Sequence, residues 1–190
     1  RQRQMCIRDR YKSYNDKILE IALTPNRSDA ISHFGVARDL RAALCYRKEK
    51  QFELISPSVS SFNNTIISPN FNIQILNPND CSRFCGLIID NIKVKDSPEF
   101  IQNRLKAIGL NPINNIVDIT NYVMHEIGQP LHAYDRAKIK SNTISIKKIN
   151  TKNKFTILDG KEIDLNKDDI VICDEDSPMC LAGVYGGLNY

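Results

Sequence analysis

No apolar run in this 190-residue chain approaches the ~20 residues that a helix needs to cross a bilayer. The basic start is not followed by an apolar stretch either, so no secretory signal is visible and no membrane partner is expected. The six cysteines (Cys6, Cys45, Cys81, Cys85, Cys173 and Cys180) form no CxxC pair and lie scattered. That pattern lacks the look of a disulfide scaffold and points to reduced thiols in a cytoplasmic protein. Cys81 and Cys85 could form half of a metal site, but no matching pair follows. His125-Glu126 opens like the zinc helix of a metalloprotease, yet the position for the second histidine holds Gln129. No metal is expected. The lysines at 138, 140, 147, 148, 152 and 154 have no aromatic series beside them, which leaves base stacking unsupported. They could meet nucleic-acid phosphates, or simply form the solvated face of an exposed hairpin.

What is present allows a core. Hydrophobic residues make up 42% of the chain, enough for one domain or a domain with part of another. The net charge of +4 is mostly local, because Arg1, Arg3, Arg8 and Arg10 against Asp9 place +3 of it in residues 1–10. The remainder is close to balanced.

The local signals give a mixed order of elements without an internal repeat. An apolar segment over 17–23 enters the turn Thr24-Pro25-Asn26. Ser28 suits the cap of a helix whose stripe is Ile31, Phe34, Ala37, Leu40 and Leu44, running to Tyr46. From Ser56 to Pro78 the composition turns to Ser, Asn and Pro, and Ile73 and Ile75 alternate, as in a linker or an edge strand. Residues 83–94 read as a strand, central because Leu87, Ile88 and Ile89 are all apolar. Ser97 and Pro98 open a helix with Ile101, Leu105 and Ile108 on one face, closed by Gly109. Further strands are predicted at 143–147, at 155–158 before the tight turn Asp159-Gly160, at 170–173 and at 179–184. This order predicts an α+β fold with helices packed on a mixed or largely antiparallel sheet.

The stretch from Ile116 to Asp135 organises the rest. Asn114 and Asn115 can cap a helix with Ile116, Ile119, Val123 and Ile127 on one face; Gly128 ends it and Pro130 prevents continuation. Asp118, Asn121, His125 and Glu126 crowd the other face, and Gln129, His132 and Asp135 follow the break. Polar groups gathered at a helix end can build a pocket rim. His132 could orient a water or hold a ribose hydroxyl, although a solitary histidine is more often a hydrogen-bonded structural residue. Ala182, Gly183, Gly186 and Gly187 lack bulk, so either a ligand or another backbone can approach them closely.

Three blocks carry a resemblance. They are Leu23-Thr-Pro-Asn-Arg-Ser-Asp-Ala-Ile-Ser-His-Phe-Gly-Val-Ala-Arg-Asp-Leu40, the stretch VDITNYVMHEIGQPLHAYD ending at Asp135, and Leu158-Asp-Gly-Lys161 with Leu181-Ala-Gly-Val-Tyr-Gly-Gly187. In this order they resemble the β subunit of bacterial-type phenylalanyl-tRNA synthetases, in the part that carries the editing site. The resemblance implies residues 11–56 as the end of a small, truncated α/β N-terminal domain, 57–79 as a linker and 80–190 as a truncated tRNA-editing domain. Residues 1–10 do not share it and read like a non-native remnant; with no Met at position 1, the chain reads as a fragment.

The implied function is hydrolytic editing of tyrosine mischarged on tRNA(Phe), together with tRNA binding. His132 and Asn121 match catalytic editing-pocket positions, while Ala182 and Gly183 match the positions that line the amino-acid cavity. Tyr185 departs from the methionine usual there. The implied partners are an α subunit in an α2β2 assembly and tRNA(Phe). ATP and magnesium serve activation in the complete synthetase, and no cofactor is expected in this stretch. Acidic and hydroxyl residues of the family's pocket lie beyond Tyr190, so the isolated fragment is expected to be inactive. Two other classes remain open: a non-catalytic structural and tRNA-contacting module, and a freestanding relative of the editing domain.

Overall fold

The helices begin and end where side chains and turns take up their loose backbone groups. In the computed structural model, which describes residues 16–63, 70–149 and 153–188, α1 spans His33–Lys48. Ser32, in extended conformation, caps it by accepting from the Gly35 N–H at 2.9 Å. The cap is therefore Ser32 and not Ser28. Ser28–Ala30 instead forms a 3-10 turn that packs so closely on α1 that a Cβ at Gly35 would lie 2.7 Å from Ala30 Cα. Glycine is needed there for approach, not for an unusual dihedral. Arg27 ties this turn to the helix by pairing with Asp29 at 2.9 Å and with Asp39.

The second helix, α2, spans Glu99–Ala107, with Pro98 at the cap position and no side-chain cap. Ser97 does not cap it, because its hydroxyl is turned to Asp118. At the other end Gly109 (φ +84°) completes a double turn: Gly109 N–H donates to Lys106 O at 3.1 Å and Leu110 N–H to Leu105 O at 2.9 Å. Helix α3 spans Asn115–Ile127 and starts as its sequence predicts, with Asn114 Oδ1 accepting from the N–H groups of Ile116 and Val117 at 3.0 Å. Gly128, at φ +80°, ends it.

The chain divides into two compact units, neither continuous in sequence: the residues up to Ser58 with Lys93–Ala133, and Val59–Ile92 with the residues from Tyr134 onward. The first unit holds the three helices and buries Ala30, Ile101 and Leu105, with the Phe100 and Tyr122 rings edge to face at 6.3 Å.

The second unit is built on sheets. Its strands are β1 (Asn72–Ile75), β2 (Thr143–Lys148), β3 (Asn153–Thr156), β4 (Glu162–Leu165), β5 (Ile170–Asp174), β6 (Ser177–Leu181) and β7 (Tyr185–Gly186). Five of them form one mixed sheet in the order β1-β2-β5-β6-β7. β1 runs parallel to β2, so the Ile73/Ile75 alternation marks an edge strand, and the other pairs are antiparallel. β3 and β4 form the hairpin expected around Asp159-Gly160, with Gly160 at φ +83°. Apolar residues crowd both sides of β5: Ile172 packs with Ile144, Ile146 and Met179, whereas Val171 and Cys173 pack with Phe155, Ile157 and Leu165. Buried strands of this kind are continuous apolar runs for that reason. The α+β class with a mixed sheet stands.

The expected strand over 83–94 does not form. Residues 83–94 are irregular, with Leu87 and Ile89 exposed. A short apolar run has no periodicity that separates a central strand from an extended connection.

Candidate functional site

The helix break that carries the first pair of candidate residues is held by α1. A Cβ at Gly128 would stand 3.4 Å from Ser32 Cβ, so the start of α1 lies against the end of α3. His33 Nδ1 lies 3.1 Å from the carbonyl oxygen of His125, one of the last-turn acceptors that a helix leaves open. A carbonyl only accepts, so Nδ1 carries the proton. This bond gives both histidines a structural role, and Glu126 accepts from the Tyr122 hydroxyl at 3.3 Å. Asp135 caps the 3-10 turn Arg136–Lys138 by accepting from Ala137 N–H at 3.0 Å.

Beyond Gly128 the chain is irregular, and His132 stands on its exposed course. Enough of the molecule surrounds the ring that desolvation lowers its pKa below the ordinary 6.5. The imidazole is therefore neutral at pH 7, able to donate from one nitrogen and accept at the other. Asn121 is half-buried on α3, one turn after Asp118. Both belong to the helical unit.

Asp118 departs most from its sequence reading. The predicted apolar stripe leaves Ile119 and Ile127 exposed, while Asp118, on the polar face, is the one fully buried side chain of α3 at 1% exposure. Periodicity ranks side chains by polarity and carries no signal for a carboxylate whose donors lie outside the helix.

Ala182 and Gly183 belong to the sheet unit, in the turn that joins β6 to β7. Val184 N–H donates to Leu181 O at 3.0 Å and Ala182 N–H to Ile170 O at 2.9 Å. Gly183 has φ +74°, which favours glycine, and a Cβ there would meet nothing within 4 Å. Ala182 is half-buried against the Ile146 cluster, and Tyr185 is exposed. Gly187 answers to packing, since a Cβ would lie 2.7 Å from Met179 O and 3.0 Å from the Phe155 ring. A cleft of about 340 Å³ in this unit is lined by Lys154, Thr156, Asp176, Ser177, Gly187 and Leu188, and by neither Ala182 nor Gly183.

Three lysines of the basic run are paired with acids. Lys147 pairs with Asp176, Lys148 with Asp80 and Lys154 with Glu162, at 2.6–3.0 Å. Lys152 lies outside the described residues. Among the described residues no group of three or more His, Cys, Asp or Glu side chains is arranged to hold a metal, and no helix is long and apolar enough to cross a membrane.

Residues 80–190 match the family model of the B3/4 domain. The chain is 45% identical over 182 residues to the phenylalanine–tRNA ligase β subunit of Bacteroides fragilis, covering 96% of this chain and 22% of that protein. It is 48% identical over 180 residues to that of Porphyromonas gingivalis (94% and 22%) and 42% identical over 176 residues to that of Aquifex aeolicus (93% and 21%). The chain thus spans about a fifth of the length of the curated relatives it matches. It belongs to the B3/4 domain family, in the form found in phenylalanine–tRNA ligase β subunits.

Proposed function

We propose that this chain contributes the amino-acid and water-positioning parts of a hydrolytic editing site in a phenylalanine–tRNA ligase, acting on tyrosine misattached to tRNA(Phe). The observation that carries the reading is the family match over 80–190, because His132, Asn121, Ala182 and Gly183 all lie inside it. The chemical need is plain. An apolar pocket built for phenylalanine rejects a substrate that merely adds a hydroxyl by only about a hundredfold, so a second, hydrolytic site is required for accuracy. Water would attack the ester carbonyl carbon, the bond to the ribose oxygen would break, and the ribose hydroxyl would regain its proton as free tyrosine leaves.

A neutral His132 suits this work, since it can hold a water or a ribose hydroxyl without bringing a positive charge. Asn121 offers an amide N–H and a carbonyl for orientation. Gly183 leaves open space where a side chain would stand, and Ala182 adds only a methyl group. ATP and magnesium, which serve amino-acid activation, are assigned to an α partner in an α2β2 assembly, and the location proposed is the cytoplasm. In chain order we assign 11–56 to the end of an N-terminal domain, 57–79 to a linker and 80–190 to the editing domain. A second reading, a structural and tRNA-contacting module without hydrolysis, draws on one observation: Gly183 and Gly187 each have a backbone or packing reason to be glycine.

The two readings part on deacylation of tyrosyl-tRNA(Phe), measured beside phenylalanyl-tRNA(Phe), by a complete β chain assembled with its α partner. Preferential loss of tyrosine is expected. His132→Ala should slow it without affecting phenylalanine charging, and Ala182→Trp should abolish it by taking the space proposed for the amino acid. Loss of tyrosine no faster than the spontaneous rate would leave the scaffold reading.

A further inference from the structure

Helix α3 buries an acid where its sequence offers isoleucines. Asp118 Oδ1 accepts from the Ile113 N–H at 2.8 Å, in the loop before the helix, and Oδ2 accepts from the Ser97 hydroxyl. Ser97 is itself only 5% exposed, and its carbonyl accepts from Gln102 Nε2 at 2.7 Å, which joins it to the first turns of α2. The Asp118 carboxylate therefore clips three pieces of chain together: the entry to α2, the loop at 113 and the first turn of α3.

A second clip sits beside it. Asn115 Oδ1 accepts from Lys95 N–H at 3.1 Å, Asn115 Nδ2 donates to Lys93 O at 3.0 Å, and Asn115 N–H donates to Lys95 O at 2.8 Å. These bonds hold the helix start along its axis. The Asp118 bonds hold it in rotation, because turning α3 would strip a buried carboxylate of both donors, a loss far larger than that of an apolar contact. Three residues on, and so on the neighbouring strip of the same helix face, is Asn121.

We infer that Asp118, with Ser97, is a positioning residue for editing: it sets the rotation of α3 and thereby the direction in which Asn121 presents its amide to the substrate. The inference rests on the editing reading above. It also accounts for an expense that stability alone does not require, since an apolar residue at 118 would bury more simply than a charge needing two donors. Displacement of a positioning group by about 1 Å can cost roughly a hundredfold in rate, so a small rotation is enough to matter.

The test uses the complete β chain with its α partner and four proteins: the parent, Asp118→Asn, Asn121→Ala and the double variant. Asp118→Asn replaces the charged acceptor with an amide that accepts more weakly and turns the Ser97 hydroxyl from donor to acceptor, which loosens the hold on α3. Its kcat for tyrosyl-tRNA(Phe) deacylation should fall roughly 10- to 100-fold, with KM within about twofold and phenylalanine charging unchanged. In the Asn121→Ala background the same change should have almost no further effect, because its route to the reaction is already gone. Ser97→Ala, which removes one bond and no charge, should reproduce the kcat loss in weaker form if Asp118→Asn lowers the yield of folded protein. Equal losses in both backgrounds, or an unchanged kcat in Asp118→Asn and Ser97→Ala, would overturn the positioning role while leaving editing intact. No deacylation by the parent would overturn the editing reading and this role together.

Discussion

Two buried aspartates hold the two units, in surroundings that differ. Asp118 and Asp174 are 1% and 4% exposed, and each accepts from a serine hydroxyl, with one backbone N–H donating to Asp118 and two to Asp174. Around Asp174 lies a sheet covered by apolar side chains on both faces, so its bonds to Lys140 and Ser141 fasten a loop to an already stable layer. Among the described residues, the apolar side chains buried in the helical unit are few: Ala30, Ile101 and Leu105. The helical unit thus leans on polar clips for order, and the sheet unit leans on its core. Directional bonds fix orientation and are lost one at a time, whereas apolar packing gives bulk stability with less demand on angle.

The sharpest way to break this comparison is to truncate each unit at its own support. Leu165 is fully buried in the sheet unit, and Leu165→Ala should cost about 3–4 kcal/mol, read as a lower urea midpoint at unchanged slope. Ser97→Ala in the helical unit should cost about 1–2 kcal/mol and show chiefly as faster amide exchange at the start of α3. A Ser97→Ala loss spread evenly over β5 and α3 would show that the units do not separate in this way.

The sequence disclosed what is local. Asn114, Gly109, Gly128 and Asp159-Gly160 were legible because caps and tight turns are decided by a few adjacent residues. The α1 cap lies four residues beyond the expected Ser28 because Ser28 and Ser32 both fit the rule; the choice depends on Gly35 packing against Ala30. The strand over 83–94 failed for lack of a partner strand, which no window of that sequence contains. The buried face of α3 is not legible because the donors to Asp118 arise at positions 97 and 113, outside the helix, where helical periodicity cannot register them. For the site, spacing offered only a polar helix end and a small-residue turn; the identities of His132, Asn121, Ala182 and Gly183 as a set rest on likeness to a family.

The β6–β7 region tests the comparison at smaller scale, because its glycines differ in cause. Gly187→Ala would press a methyl group against the Met179 carbonyl and the Phe155 ring, neither of which has open room, and should cost about 2 kcal/mol. Gly183→Ala meets no neighbour and should cost only about 1 kcal/mol, for the backbone conformation. Thermal unfolding of both variants checks the order. A larger loss at Gly183 would mean that the turn, and not the core, governs this end of the sheet.

The smallest expected effect is in pH, and it separates the units by window. Desolvation holds the His132 pKa below 6.5, so between its folded value and 6.5 the unfolded chain binds more protons than the folded one. This contribution is complete above pH 6.5 and is lost as pH falls below it. For Asp174, burial works against the charge, but the Ser141 hydroxyl and the Lys140 and Ser141 N–H groups outweigh it and hold the carboxyl below 3.8. That contribution is complete above pH 3.8 and is lost as pH falls through the lower folded value. Urea midpoints from pH 7 to 3 should therefore show His132→Ala flattening the slope just below 6.5, and Asp174→Asn flattening it only below 3.8. The histidine effect will be slight, since its ring borders solvent and is only partly desolvated. A His132→Ala profile that converges on the parent at high pH and diverges downward at low pH would reverse the sign, and would mean that the folded chain stabilises the charged imidazole, removing the neutral imidazole from the proposed site.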